Sequence, residues 1–141
     1  MINTTKLHKA IDALIAISRE HREVNVDAIA MMGNQNFATE FCTVCVGISR
    51  RTGKTEYIKT RATKNDLVIV PNEQLKKCLY NEAKSPVVTA RSIVEWSRGK
   101  QTPRMIYIDE PKLVFKVESL ENIYRTLFNN EAQTFVLIGT F

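Results

Sequence analysis

The chain has 141 residues and a formal net charge of +5, with 44% hydrophobic and 25% charged residues. That length suits one domain of ordinary size, and the composition is that of a globular protein, which excludes a disordered chain. No apolar run approaches a bilayer span and Met1 is not followed by a secretory apolar region, so a cytoplasmic protein without membrane contact is expected.

In chain order, Leu7, Ile11, Leu14, Ile15 and Ile17 recur at helical spacing, predicting an amphipathic helix over 4–22 capped near Asn3. A second short helix is expected from Val26 to Met32, capped by Asn25 and ended by Gly33. The apolar stretch Phe41–Val46 reads as a buried strand. It runs into Gly47-Ile48-Ser49-Arg50-Arg51-Thr52-Gly53-Lys54-Thr55 and a helix over roughly 54–63. Leu67–Val70, closed by Pro71, is a compact buried strand, and Asn72 caps a helix whose inward stripe would be Leu75, Cys78 and Leu79. Pro86–Ala90 is a third strand, and 91–104 is polar, reading as a turn of helix and a loop. Met105–Ile108 is a fourth strand, ending in Asp109-Glu110-Pro111. Ser119 caps a helix with Leu120, Ile123, Tyr124, Leu127 and Phe128 on one face. Thr134–Ile138 is a last strand, followed by Gly139-Thr140-Phe141.

Short β-branched strands alternating with helices predict an α/β fold with a mostly parallel central sheet covered on both faces, preceded by an N-terminal helical segment. One domain over 1–141 is expected, with N-terminal helices in 1–34 and a nucleotide-binding core in 35–141. Ligands of such sheets bind at the carboxyl ends of the strands, so Ser49, Asn72, Asp109, Glu110 and Thr140 are expected to share one rim.

Two motifs carry the chemistry. A strand feeding Gly53-Lys54-Thr55 and a helix is the arrangement that wraps triphosphates. Loop N–H groups and the helix N-terminus attract the anion, the lysine reaches the terminal phosphates, and the threonine hydroxyl is available to magnesium. The usual first glycine is displaced: Ile48 stands in its place, one step after Gly47. Far along the chain, Ile106-Tyr107-Ile108-Asp109-Glu110 is an apolar strand ending in two acids. Asp109 suits a magnesium site and Glu110 the activation of an attacking water. Either motif alone is common by chance; their joint occurrence in this order predicts a three-layer P-loop nucleoside triphosphatase core.

Ser49-Arg50-Arg51-Thr52-Gly53-Lys54-Thr55 resembles the deviant phosphate loop of phage terminase large subunits, the ATPases that pump DNA into capsids. That family writes the loop Ser-Arg-Gln-x-Gly-Lys-Ser/Thr and tolerates the missing glycine; Arg51 departs from it. Arg98-Gly99 followed by Arg104–Glu110 is similar to the turn and acidic strand of terminases. Leu137-Ile138-Gly139-Thr140 resembles their coupling motif, and Val68–Asn72 resembles a nucleic-acid-touching segment of helicase-type motors.

The resemblance implies a RecA-like ATPase core that binds ATP and Mg2+ and acts on or near DNA, within the phage-infected host cell. It implies that Ser49 to Thr55 hold the phosphates, Thr55 and Asp109 hold the metal, and Lys54 and Glu110 serve catalysis. Arg50 would act in cis on the γ-phosphate, Gln35 would read adenine, and Gly139 and Thr140 would couple hydrolysis to movement. Arg50 as a surface ion-pair partner and Gln35 as an ordinary loop residue stand as alternatives.

The chain ends at the coupling motif, so it reads as a minimal motor core that works by self-assembly, as a homo-oligomer, or with a phage or host protein partner. The alternative function is a regulatory or decoy module that keeps the motor fold and works through protein contacts. A small-molecule kinase is a third reading, for which an arginine-rich lid segment is missing from the sequence.

The remaining reactive residues offer less. Cys42 and Cys45 have the spacing of a metal half-site, but strand alternation is expected to point them apart. Arg50, Arg51, Lys54, Lys59, Arg61 and Lys64 form a basic run suited to polyanions. Trp96 and Tyr57 are open to base stacking or to simple packing, and His8 and His21 read as surface residues of the first helix.

Overall fold

The computed structural model describes residues 4–49, 53–99 and 102–141. Asn3, the expected helix cap, and Arg50, Arg51 and Thr52 of the phosphate loop lie outside the described residues.

Five parallel strands form one sheet in the order β1-β5-β4-β2-β3: β1 (Thr43–Gly47), β2 (Leu67–Val70), β3 (Val87–Thr89), β4 (Met105–Asp109) and β5 (Thr134–Gly139). Each parallel connection needs a crossover, supplied by α4 (Lys54–Arg61), α5 (Glu73–Leu79), α6 (Ile93–Ser97), α7 (Pro111–Val114) and α8 (Leu120–Leu127). Ahead of the sheet come α1 (Thr4–Glu23), α2 (Ile29–Met32) and α3 (Asn34–Phe41).

β2, β4 and β5 are buried at every position, as expected of parallel strands covered on both faces. The period of two splits their side chains into two cores. Leu67, Ile69, Ile106, Ile108, Phe135 and Leu137 pack with Phe37, Ile93, Val114 and Ile123 from α3, α6, α7 and α8. Val68, Val70, Met105, Tyr107, Val136 and Ile138 pack with Ile11, Ile15, Tyr57 and Ile58 from α1 and α4. The N-terminal helices are therefore part of the domain core.

Several expectations are corrected. The strand expected from Phe41 starts at Thr43 because α3 occupies the residues before it, and it is an edge strand that buries Val44 but leaves its other positions partly or fully exposed. Gly33, at φ +82°, ends α2 and starts α3, a helix that the sequence pattern did not reveal and that contains Gln35. The segment 26–32 is a 3-10 turn at Val26–Ala28 followed by α2, and Asn25 donates its amide to His21 O at 2.7 Å instead of capping.

In α1 only Ile11 and Ile15 of the expected stripe are fully buried; Leu14 and Ile17 face solvent, while Arg22 is buried and donates to Gln133 O and Thr134 Oγ1 at 2.8 and 2.9 Å. In α5 no residue is fully buried and Cys78 is exposed. The caps at Asn72 and Ser119 form as expected, their side chains accepting from Leu75 N and Asn122 N. The helical turn expected within 91–104 is α6, which anchors through buried Ile93.

Candidate functional site

β5 lies between β1 and β4, so the two motifs, remote in sequence, end on either side of its last residues. Gly47 pairs with Gly139 and Asp109 with Ile138. Past the strands the chain stays stitched: Ile48 N donates to Gly139 O at 3.0 Å, Glu110 N to Ile138 O at 3.1 Å and Lys112 N to Thr140 O at 2.9 Å.

Two backbone positions explain why glycine recurs here. Gly53 has φ +89°, and a Cβ there would meet Thr4 Cγ2 at 2.8 Å. Gly139 has φ +138°, and a Cβ would lie 3.2 Å from Glu110 Cα and 3.1 Å from Pro111 Cδ. That close approach matters because Glu110 itself is left-handed at φ 59°, ψ 68°, the one non-glycine residue with positive φ among those described. Such a conformation costs on the order of 1–3 kcal/mol and persists only where the surroundings dictate it. Here the strand bond to Ile138, the following Pro111 and the first turn of α7 fix it.

The side chains then converge. The Lys54 ammonium, 6% exposed, forms an ion pair with Glu110 Oε1. Glu110 Oε2 accepts from Thr140 Oγ1 at 2.9 Å, and Oε1 has no partner beyond that ammonium among the described residues. Asp109, 3% exposed, accepts at Oδ2 from Thr55 Oγ1 at 3.1 Å and from Tyr80 OH at 2.6 Å. Its other oxygen, Oδ1, is buried with no hydrogen-bond partner among the described residues. Burial pushes the Asp109 carboxyl up from the usual range, while the Tyr80 and Thr55 hydroxyls and the Lys54 charge pull it back. Burial and the neighbouring Asp109 charge likewise push the Tyr80 phenol up.

A cavity of about 390 Å³ opens onto this cluster, with Gly53, Lys54, Thr55, Asp109 and Glu110 on one side. Val70, Pro71, Leu75, Leu79 and Leu113 form the apolar remainder of the wall. Leu75 and Leu79 of the expected α5 stripe thus face a hollow beside the acids, while Cys78 is exposed.

A buried carboxylate oxygen without a donor, beside a threonine hydroxyl, is the donor set a hard divalent cation takes. Asp109 and Thr55 therefore fit the magnesium expected from the sequence. Bound there, the ion would offset phosphate charge; the protein's own part is to hold the carboxylate, the hydroxyl and the ammonium around one cavity.

The other expected site residues are spread more widely. Ser49 is exposed just past β1. Gln35 lines a separate hollow with Asn34, Tyr124, Arg125 and Phe128, none of which borders the Lys54 cavity. Asn72 is occupied as the α5 cap. Of the basic run, Arg61 forms an ion pair with Asp12 at 2.9 Å and lies over the Tyr57 ring, while Arg50 and Arg51 lie outside the described residues.

Tyr57 is 1% exposed and a packing residue, and Trp96 packs partly buried against the first core. His8 meets Tyr57 edge-on at 5.2 Å and His21 lies 5.1 Å from Phe41, so both make ring contacts. Cys42 precedes β1 as the C-cap of α3, so strand alternation does not govern it; it is wholly buried, whereas Cys45 is exposed. Sequence reasoning missed Tyr80 and Leu113, for which no local pattern exists.

The fold and site define an α/β protein with a five-stranded all-parallel sheet flanked by helices, consistent with a RecA-like core. In comparisons with known proteins, no family model, no curated protein and no solved structure matches the chain. Among the described residues no helix is long and apolar enough to cross a membrane.

Proposed function

We propose that the chain is a magnesium-dependent ATP-binding and ATP-hydrolysing P-loop protein of terminase or helicase type that acts on or near DNA. The observation that carries this reading is the convergence of Lys54, Thr55, Asp109 and Glu110 on one cavity edge near the carboxyl ends of β4 and β5, with Thr140 hydrogen-bonded to Glu110. Three separate stretches of sequence, each of the residue types the chemistry requires, meet there.

In this reading Lys54, at the first turn of α4, binds the terminal phosphates with help from the helix N-terminus. Its partner Glu110 is then released, still held by Thr140, and accepts the proton of the attacking water. Thr55 and Asp109 hold the cation that shields the phosphates. Arg50 neutralises charge developing on the γ-phosphate, and Gly139-Thr140 relay the state of Glu110 into β5.

Calorimetry with Mg·ATP tests the reading. The wild-type protein is expected to bind and Lys54→Ala to lose binding while remaining folded. Glu110→Gln is expected to bind ATP and hydrolyse it at least about a hundredfold more slowly, the scale of a lost general base. A folded wild-type protein that binds no Mg·ATP overturns the assignment. Equal inertness of wild type and Glu110→Gln, with both binding nucleotide, replaces it with a regulatory module.

A further inference from the structure

Resting on the nucleotide-binding reading, we infer that Tyr80 is a positioning residue for the cation: its hydroxyl, donated to Asp109 Oδ2, fixes the carboxylate so that Oδ1 is left for the metal. The bond is 2.6 Å long, at the short end expected for a hydroxyl donating to a charged acceptor, and shorter than the 3.1 Å bond from Thr55. A carboxylate whose one oxygen takes two donors cannot rotate freely about its χ2. Its other oxygen is therefore presented in a fixed direction instead of being found by search.

Tyr80 is itself well held. It is 4% exposed, its ring lies in the core with Val68, Val70 and Tyr107, and its backbone closes α5 through Tyr80 N to Lys76 O at 3.0 Å. The hydroxyl is thus delivered by a rigid element, the condition under which an outer partner tunes a metal ligand. Thr55 donates to the same oxygen over a longer bond, and in this reading its own oxygen would also be called on to hold the cation.

The placement also ties the cation to α5. Leu75 and Leu79, on the same helix, wall the cavity that opens onto Lys54 and Glu110.

The test uses the full chain with Mn2+ as a paramagnetic probe, titrated in the presence of a non-hydrolysable ATP analogue and read by electron paramagnetic resonance. Calorimetry of the same analogue without metal runs alongside it. Tyr80→Phe removes only the hydroxyl and keeps the ring volume. It is expected to weaken Mn2+ binding about tenfold, the scale for losing an outer partner of a metal ligand. Metal-free analogue binding is expected to stay within about twofold of wild type.

A purely structural role would lower the thermal midpoint and leave Mn2+ affinity unchanged, and that result overturns the inference while wild-type binding preserves the reading beneath it. If folded wild-type protein binds neither the analogue nor the Mn2+·analogue complex, the nucleotide reading falls and takes the inference with it. Should Tyr80→Phe not fold, Tyr80→Leu, which carries no group able to donate to Asp109 or to ligate the metal, replaces it in the same titration. Weakened Mn2+ binding then supports the positioning role, and unchanged Mn2+ binding overturns it.

Discussion

Thr140 donates its hydroxyl to Glu110 Oε2 at 2.9 Å, while the Lys54 ammonium takes Oε1, so one carboxylate is gripped from β5 and from α4 at once. In the proposed nucleotide-binding reading a phosphate group would draw Lys54 away, leaving Thr140 as the hydrogen-bond restraint on Glu110 among the described residues. Thr140→Val is therefore expected to lower the ATP turnover rate about tenfold with ATP affinity changed less than twofold. That loss corresponds to about 1.4 kcal/mol of barrier. Steady-state kinetics beside calorimetry separates the two effects.

Gly139→Ala places a Cβ at φ +138° and within 3.3 Å of the backbone atoms Glu110 N and Cα and of the Pro111 ring at Cδ, none of which is the end of a flexible side chain. A cost of about 1–3 kcal/mol is expected from backbone strain of this kind. The fall is readable as a lower urea midpoint. Gly99→Ala, at φ +69° with nothing within 4 Å of its Cβ, is expected to lose less, because only the conformational penalty applies.

The buried pair of Lys54 and Glu110 predicts a strong asymmetry between single and double substitution. Removing Lys54 alone leaves a nearly buried carboxylate with Thr140 as its side-chain partner among the described residues, and a loss of about 3 kcal/mol is expected. In Lys54→Met/Glu110→Gln the Glu110 charge is no longer stranded, although buried Asp109 still loses the field of Lys54, so the double variant is expected to recover part of that stability. A double-mutant cycle by chemical denaturation measures the coupling.

Away from the cavity, Asp12 accepts from Arg61 at 2.9 Å and from Tyr57 OH at 2.7 Å. The Arg61 hydrogen bonds, opposed by some desolvation, hold its carboxyl below the usual range. A folded-state value below the unfolded one stabilises the protein above about pH 4, and that contribution disappears as pH falls through the depressed folded value. Because the pair is exposed, its contribution is about 0.5 kcal/mol and shrinks with salt. Thermal midpoints of wild type and Asp12→Asn are expected to differ at pH 7 in low salt and to converge as the pH falls below the depressed folded-state value.

The strands are the legible part of the fold. Leu67–Val70 and Thr134–Gly139 announce themselves as unbroken apolar runs because both faces of a parallel strand are covered. The helices with clean caps, α5 and α8, are legible for the same kind of reason: Asn72 and Ser119 satisfy a donor that any helix start must satisfy. Environment is what local pattern does not carry. Leu14, Ile17 and Cys78 lie on helices but outside the cores, because periodicity gives a face and not what that face meets. α3 hides in a polar stretch whose only marked signal is Gly33, and tertiary packing of Phe37 and Ala38 decides it.

The sequence by itself determined which residue types end each strand: Lys54-Thr55 after the first, Asp109-Glu110 after the fourth, Gly139-Thr140 after the last. Local chemistry fixes that much, since glycine is needed where φ is positive and strands need apolar faces. Only the tertiary structure decided that β5 lies between the other two, that Thr140 reaches Glu110, and that Tyr80 reaches Asp109. Strand order and contacts across 30 or 29 residues depend on how helices pack over both faces of the sheet, a property of the whole chain that no window of sequence contains.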